Sequence, residues 1–595
     1  MHLASIALAL AIATPPLPQD SADVVELSRI AMGDSPVDGT VFDELGAIRT
    51  RMALNALLVC CDDGPAERRP TAIHALRHFA GVDELGERAL AVLVEIVFDD
   101  DATVYERRAA ARAMAAFGRA GQEELERVAF ECDDELARQW AIGGIVEHLV
   151  ARGTPDDLGL LLDHYRPPFS GSIELGGDAL GRFQDEASAE RLRDALKSSK
   201  TSPVVREMAA LAVARQDGTE AEVALRKALR DPDRFVVVRA IDGLRERGST
   251  EHMTKLAGLV RSPSPLVRKT AFRAMTSARY GQPAFDKKVR RALASADFAL
   301  RWGAVAGLGD ASDDPSAEWI AERIADDHHA VRDIAVQSAL KRRLAPAIPA
   351  LIEELEADER LWRNTCRAAL VDLTGKDYGG GAARWRTWWV GEGEGFRVPP
   401  AAEARAAVEA LRANRDDAPS RAESPTSTFY NVTFPTDRVA FVLDLSGSME
   451  IEDRIGRLKE QLRDALLGIP AKGRFNLIFF TAGASSWGKR LVRMTPNNRA
   501  AANQVIDRLV ADGWTNLHAG LELAFSDPDV RTILLLSDGE PSRGVTDTQT
   551  ILRDVRAWNE SRGVVVHTVS LGDIGSTGLM DALALMNGGE AVTSF

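Results

Sequence analysis

Residues 441–450 read FVLDLSGSME. The run from Val439 to Leu443 is short, β-branched and nearly continuous in apolar residues, the pattern of a parallel strand buried on both faces. Asp444 closes it. Leu445-Ser446-Gly447-Ser448 then supplies two hydroxyls two positions apart, with a glycine that permits a tight backbone path. Oxygen side chains at the end of a buried strand suit either a hard cation or a helix cap. The rest of the chain decides between them.

Downstream, strand and helix patterns alternate. A stripe of Ile455, Leu458, Leu462, Leu466 and Ile469 predicts an amphipathic helix. FNLIFF (475–480) predicts a buried strand, with a hairpin partner around KRLVRM (489–494). Helices follow near 497–511 and 517–525, strands at ILLLS (533–537) and VVVHTVSL (564–571), and a last helix near 578–586. Such alternation predicts a doubly wound, Rossmann-like α/β sheet, which binds ligands in the crevice beyond the carboxyl ends of its strands. Asp444 ends one strand there, and Asp538 in LLLSDGEP ends another. GWTNLHAGL places Thr515 in a loop before a helix. Five oxygen donors converge from three loops: Asp444, Ser446, Ser448, Thr515 and Asp538. His518 sits in the first turn of the following helix, with contact to a ligand as the alternative. His567 reads as a core residue.

DLSGSM, GWTNLHAGL and LLLSDGEP together resemble a von Willebrand factor type A (VWA) domain with an intact metal-ion-dependent adhesion site. The resemblance spans about 160 residues. It implies that the five donors hold Mg²⁺ or Mn²⁺, some directly and some through water. It also implies that an open position takes a carboxylate from a partner protein. Trp514 stands where the family often has glycine. Mg²⁺ wants six oxygens and sheds water reluctantly, and hydroxyls coordinate it without cancelling its charge. Capping by Ser448, just before a helix, is the rival for the serines.

The first two-thirds of the chain is a repeat array. An Asp or Ser start, an apolar residue, an Arg and then small residues recur at Arg206, Arg239, Arg268, Arg301, Arg332 and Arg363, at spacings of 33, 29, 33, 31 and 31. Earlier copies fit at Arg69, Arg107 and Arg138, and a copy near Glu174 lacks the Arg. A period near 31 with helical spacing predicts stacked helix pairs. These phrases resemble HEAT repeats of the short bacterial type. The arginines read as contacts to the adjacent repeat, with a binding stripe as the alternative. Trp385, Trp388 and Trp389 share one helix face and read as a cap on the last repeat, with a stacking platform as the alternative. The Asn431-Val432-Thr433 sequon is too short a pattern to carry weight.

The multidomain organisation expected is a signal peptide at 1–13, an N-terminal segment at 14–44, an all-α HEAT-like solenoid at 45–395, a linker at 396–428 and the VWA domain at 429–595. The signal rests on an apolar Leu3–Ala13 stretch and the small-x-small site Ala11-Ile12-Ala13. It predicts export to periplasm, cell surface or medium. Beyond the signal peptide, no segment reaches the length of a membrane span. The net charge of −15, from 73 basic and 88 acidic residues, opposes a general nucleic-acid binder. Four cysteines are too few for a disulfide framework and read as buried small hydrophobes. The leading function is cation-dependent protein binding, with the solenoid as scaffold, and not an enzyme. The rivals are a metal-dependent hydrolase, opposed by the lack of GxSxG, HExxH or a general base, and a partner of an intracellular ATPase machine, opposed by the signal-like N-terminus.

Overall fold

The computed structural model describes residues 20–594 except 34–39, 66–67, 100, 167–172, 249–251, 280, 312–315, 358–359, 414–425, 436–437, 539–540, 561 and 572–576. The expected signal peptide lies outside the described residues. No helix among them is long and apolar enough to cross a membrane.

The chain divides into a helical N-terminal region and a C-terminal α/β sheet domain. In the helical region, helices Pro203–Ala214, Arg234–Glu246, Pro265–Arg279, Phe298–Gly309 and His329–Arg342 pack side by side in sequence, each against the next. Small residues set the spacing. A Cβ on Gly307 would lie 2.4 Å from the Thr276 side chain, so only glycine allows this approach of neighbouring helices. Ser202, Asp233 and Asp297 cap their helices by accepting backbone N–H bonds, as residues of this type do. Helices Asp20–Met32 and Thr40–Ala47 share the array's apolar core through Val24, Phe42 and Leu45.

The arginines tie repeats together. Arg206 donates through Nε and Nη2 to Asp231 (2.9 and 2.9 Å). Arg268 reaches Asp297 (2.8 Å) and Arg301 reaches Asp326 (2.8 Å), acids that lie just ahead of the next helix. Each also donates back to a carbonyl before its own helix: Thr201, Ser262 and Ser295. Arg239 departs from this register. It lies six positions after its cap Asp233, whereas Arg206 and Arg301 lie four after theirs. The matching position is Val237, 31 residues from both Arg206 and Arg268. Arg239 bonds instead to Glu207 (3.1 Å) and Glu174.

The array ends as a packed aromatic cluster. Trp385 is fully buried, with Tyr378 and Trp388 edge-on or tilted around it and Phe396 against Trp388 at 5.1 Å. Rings held this way close a core and present no stacking platform. The described cysteines are free, and burial pushes the Cys60 thiol up to about 11.

The C-terminal sheet has seven strands. Hairpin β1 (Thr426–Phe429) and β2 (Val432–Pro435) precede it, turning at Tyr430 and Asn431, both at positive φ. The sheet strands are β3 (Arg438–Asp444), β4 (Arg474–Phe480), β5 (Ala484–Ser486), β6 (Val492–Arg493), β7 (Thr532–Ser537), β8 (Val565–Leu571) and β9 (Ala591–Ser594). Their order is β5-β4-β3-β7-β8-β9, with β6 also on β4. Pairing is parallel from β4 through β9, and β5 and β6 run antiparallel to β4. Of the expected 489–494 hairpin partner, two residues pair. Helices α1 (Arg454–Gly468), α2 (Pro496–Asp507), α3 (Leu517–Ser526), α4 (Thr548–Asn559) and α5 (Thr577–Met586) cover both faces. Phe441 and Leu443 face the core of α1 and α2, while Ala440 and Val442 face that of α3, α4 and α5. Burial on both faces accounts for the continuous apolar run. The chain leaves β3 toward β4 on one side and returns through β7 on the other, so the switch point lies between β3 and β7.

Candidate metal centre

The parallel register sets Leu443 opposite Leu536, which brings Asp444 level with Ser537 and Asp538 one step beyond. Asp444 is fully buried. Its Oδ1 accepts the Ser446 amide (2.8 Å) and its Oδ2 accepts the Ser537 hydroxyl (2.6 Å). The Ser446 and Ser448 hydroxyls lie 3.0 Å apart, and Ser448 Oγ donates to Asp538 Oδ1 at 2.8 Å. Four of the five expected donors therefore form one connected group.

Thr515 comes beside them through its backbone. Asp512 N donates to Leu445 O (2.8 Å) and Gly447 N to Gly513 O (3.1 Å), which stitches its loop to the serine loop. Ser542 N donates to Thr515 O (2.9 Å), and Thr515 N donates to Ser542 Oγ (3.0 Å), which ties it to the loop after β7. Thr515 is buried, and its hydroxyl stands outside the hydrogen-bonded chain among the described residues.

The serines do not cap. Ser446 precedes the short 3₁₀ turn Gly447–Asp453 without a side-chain cap bond, and Ser448 spends its hydroxyl on Asp538. His518 turns away from the site: its Nε2 lies 2.9 Å from Asp554 Oδ2 on α4, with its ring against Trp558. His567 is buried in β8 and accepts the Glu590 amide at Nδ1. Trp514 is exposed at the rim.

Arg454 was not singled out by the sequence reading. The first residue of α1, it is buried and donates from Nη1 to Asp538 Oδ2 at 2.9 Å. Its one positive charge stands against two carboxylates. Burial pushes the Asp444 carboxyl up to about 6, against the bonds from Ser537 and Ser446, and the Asp538 charge adds to the rise.

Residues 437–593 match the family model described as von Willebrand factor type A domain. The C-terminal α/β domain is of that kind. Its relatives include inter-alpha-trypsin inhibitor heavy chain H1 of Mesocricetus auratus, 30% identical over 27% of this chain and 19% of that protein. Von Willebrand factor A domain-containing protein 3A of Homo sapiens is 33% identical over 26% of this chain and 13% of that protein. Proximal thread matrix protein 1 from the mussel byssus matches at 21% identity and a TM-score of 0.23, over 27% of this chain and 43% of its own. This chain spans about a fifth of the length of the heavy chains it matches.

VWA domains commonly bind a divalent metal, and the donor set fits one. All five groups are hard oxygens, and the paired carboxylates retain one negative charge beyond Arg454. Among the described residues no cluster of three or more His, Cys, Asp or Glu is placed to hold a metal, so the hydroxyls are what complete this site.

Proposed function

We propose that the protein is a divalent-cation-dependent protein-binding protein of the adhesion type, exported from the cell, with the helical array as its scaffold. Asp444, Ser446, Ser448, Thr515 and Asp538 would hold Mg²⁺ or Mn²⁺. When bound, the ion supplies an electrophilic centre for an Asp or Glu carboxylate of a partner. Ser446 and Ser448 donate neutral oxygen and leave its charge largely uncompensated. Arg454 holds the Asp538 carboxylate in place from behind, and Ser537 does the same for Asp444.

The observation that carries this reading is the connected group Asp444–Ser446–Ser448–Asp538 at the ends of adjacent parallel strands. The matched VWA family supports a protein-interaction role. Binding is favoured over hydrolysis because His518, the histidine nearest the Thr515 loop in sequence, bonds to Asp554 on α4 and to none of the five donors among the described residues.

Calorimetry with Mg²⁺ on wild type and Asp444→Ala tests the site. Uptake of one ion by wild type and none by the variant is expected, followed by chelator-sensitive capture of partner. A wild type that takes up no divalent ion ends the reading. Sequencing the N-terminus of the mature chain tests export, with a start near Thr14 expected.

A further inference from the structure

Arg239 stands two positions out of the ladder register, and the C-terminal domain meets the array at that irregular repeat. Glu207, whose side chain is fully buried, accepts from Arg239 (3.1 Å) and from Arg556 of α4 (2.7 Å), with Arg553 Nη1 at 3.7 Å. Arg553 also donates to Asp233, the cap of helix Arg234–Glu246. Both guanidinium groups lie over the Phe235 ring, at 5.1 and 4.0 Å. One turn beyond Arg556, just past the C-terminal end of α4, Glu560 accepts from Ser264 Oγ (3.0 Å), and its carbonyl accepts from Lys269 Nζ (3.0 Å). Beside these contacts lies a cleft of about 1070 Å³, walled by Trp140, Leu175 and Val204 of the array and by Leu552 and Ala582 of the sheet domain. The contact is thus charged and ring-stacked next to open space. Polar interfaces of this kind between domains of one chain separate more readily than packed apolar ones.

We propose that the repeat from Pro203 to Glu246 is an intramolecular receptor for α4, and that its grip steadies the Thr515 loop. The connection is short. Asp554, between the two clamp arginines, holds His518 at the start of α3, and Thr515 lies three residues before His518. The displaced arginine follows from this role. At Val237's position a guanidinium would serve the ladder, whereas two residues further on it joins Glu207 and Glu174 on the face that receives α4. The array surface here is occupied by the chain's own VWA-type domain and is not left free for an outside partner.

The test uses the full chain, wild type and Arg553→Ala/Arg556→Ala. These arginines lie on the sheet-domain side, where alanine keeps helix propensity. Small-angle scattering in 0.1 M salt is expected to show a larger radius of gyration for the variant, and wild type in 1 M NaCl is expected to approach it. Hydrogen exchange of amides 512–524, measured in chelator, is expected to quicken by about tenfold in the variant. Unchanged scattering in both the variant and high salt overturns the docking. Larger dimensions with unchanged exchange overturn the link to the Thr515 loop. Neither readout requires a bound cation, so both stand apart from the metal reading.

Discussion

Asp326 in the array and Asp444 in the sheet domain are both aspartates removed from water at the end of a secondary element. Asp326 meets a guanidinium squarely: Arg301 donates to both its oxygens at 2.8 Å, and the His328 amide adds a third bond. Burial pushes its carboxyl up, but the Arg301 bond and the other donors outweigh that and hold it low. Asp444 meets two hydroxyl or amide donors and, across the switch point, another carboxylate. No arginine reaches it among the described residues, and it rises to about 6. A structural acid has its charge met within the fold. An acid left with surplus charge is poised for something the fold does not contain.

The contrast breaks most visibly at the array. Arg301→Ala leaves the Asp326 carboxylate buried without its guanidinium, which costs about 3–5 kcal/mol. Urea unfolding followed by helical circular dichroism should show the array transition moving down by that amount. A shift under about 1 kcal/mol would mean the rungs are decoration.

The second effect depends on pH. Asp444 binds its proton more tightly folded, at about 6, than at its ordinary value of 3.8. Its contribution is fully present below pH 4 and is lost as pH rises through 6. In chelator the sheet domain should therefore lose about 3 kcal/mol across that window. Asp444→Asn should flatten the slope, and saturating Mg²⁺ at pH 7 should restore stability to wild type alone, by about 2.7 kcal/mol at a hundredfold excess over Kd. Thermal melts between pH 4 and 7 check it. A wild-type slope that survives in Asp444→Asn assigns the effect elsewhere.

Much of this contrast was readable from the chain. The apolar runs ending at Asp444 and Ser537 mark the strands, and the two-residue spacing of Ser446 and Ser448 sets both hydroxyls beside the end of β3. Arg454 is not readable there, because a charged residue opening an amphipathic helix normally faces solvent, and it is the tertiary bond to Asp538, just past β7, that draws it inward. Helix α4 has a signal in Asp547, Ile551, Leu552 and Val555, a capped apolar stripe set between two stronger strand patterns and absent from the expected elements. Of the β1–β2 hairpin, residues 426–428 fall in the expected linker and the rest at the start of the expected VWA domain, where no strand is expected before Val439, although Tyr430-Asn431 suits a turn with two positive φ values. The repeat phrase around Arg239 looks regular when arginine is its marker. The cap at Asp233 shows the true register, and the uneven spacings of 33 and 29 were the trace of it.

The smallest effect sharpens the comparison by its sign. Asp310, at the C-terminal end of helix Phe298–Gly309, accepts from Arg273 Nε (2.9 Å), Lys341 Nζ (2.8 Å) and Ser277 Oγ (3.1 Å). Burial raises its carboxyl, but Arg273 and Lys341 outweigh that and bring it to about 2. A depressed carboxylate gives stability that is present above pH 4 and is lost as pH falls through 2, the reverse of Asp444. Lys341 is 61% exposed, so solvent screens part of the attraction and the contribution falls to about 1 kcal/mol. Asp310→Asn keeps the shape and an acceptor oxygen while removing the charge. Its array transition should weaken by that amount at pH 5 and converge with wild type near pH 2. If both proteins keep the same difference at both pH values, the carboxylate's charge is not what Arg273 and Lys341 hold, and the division between charges met within the array and surplus charge at the switch point loses its support on the array side.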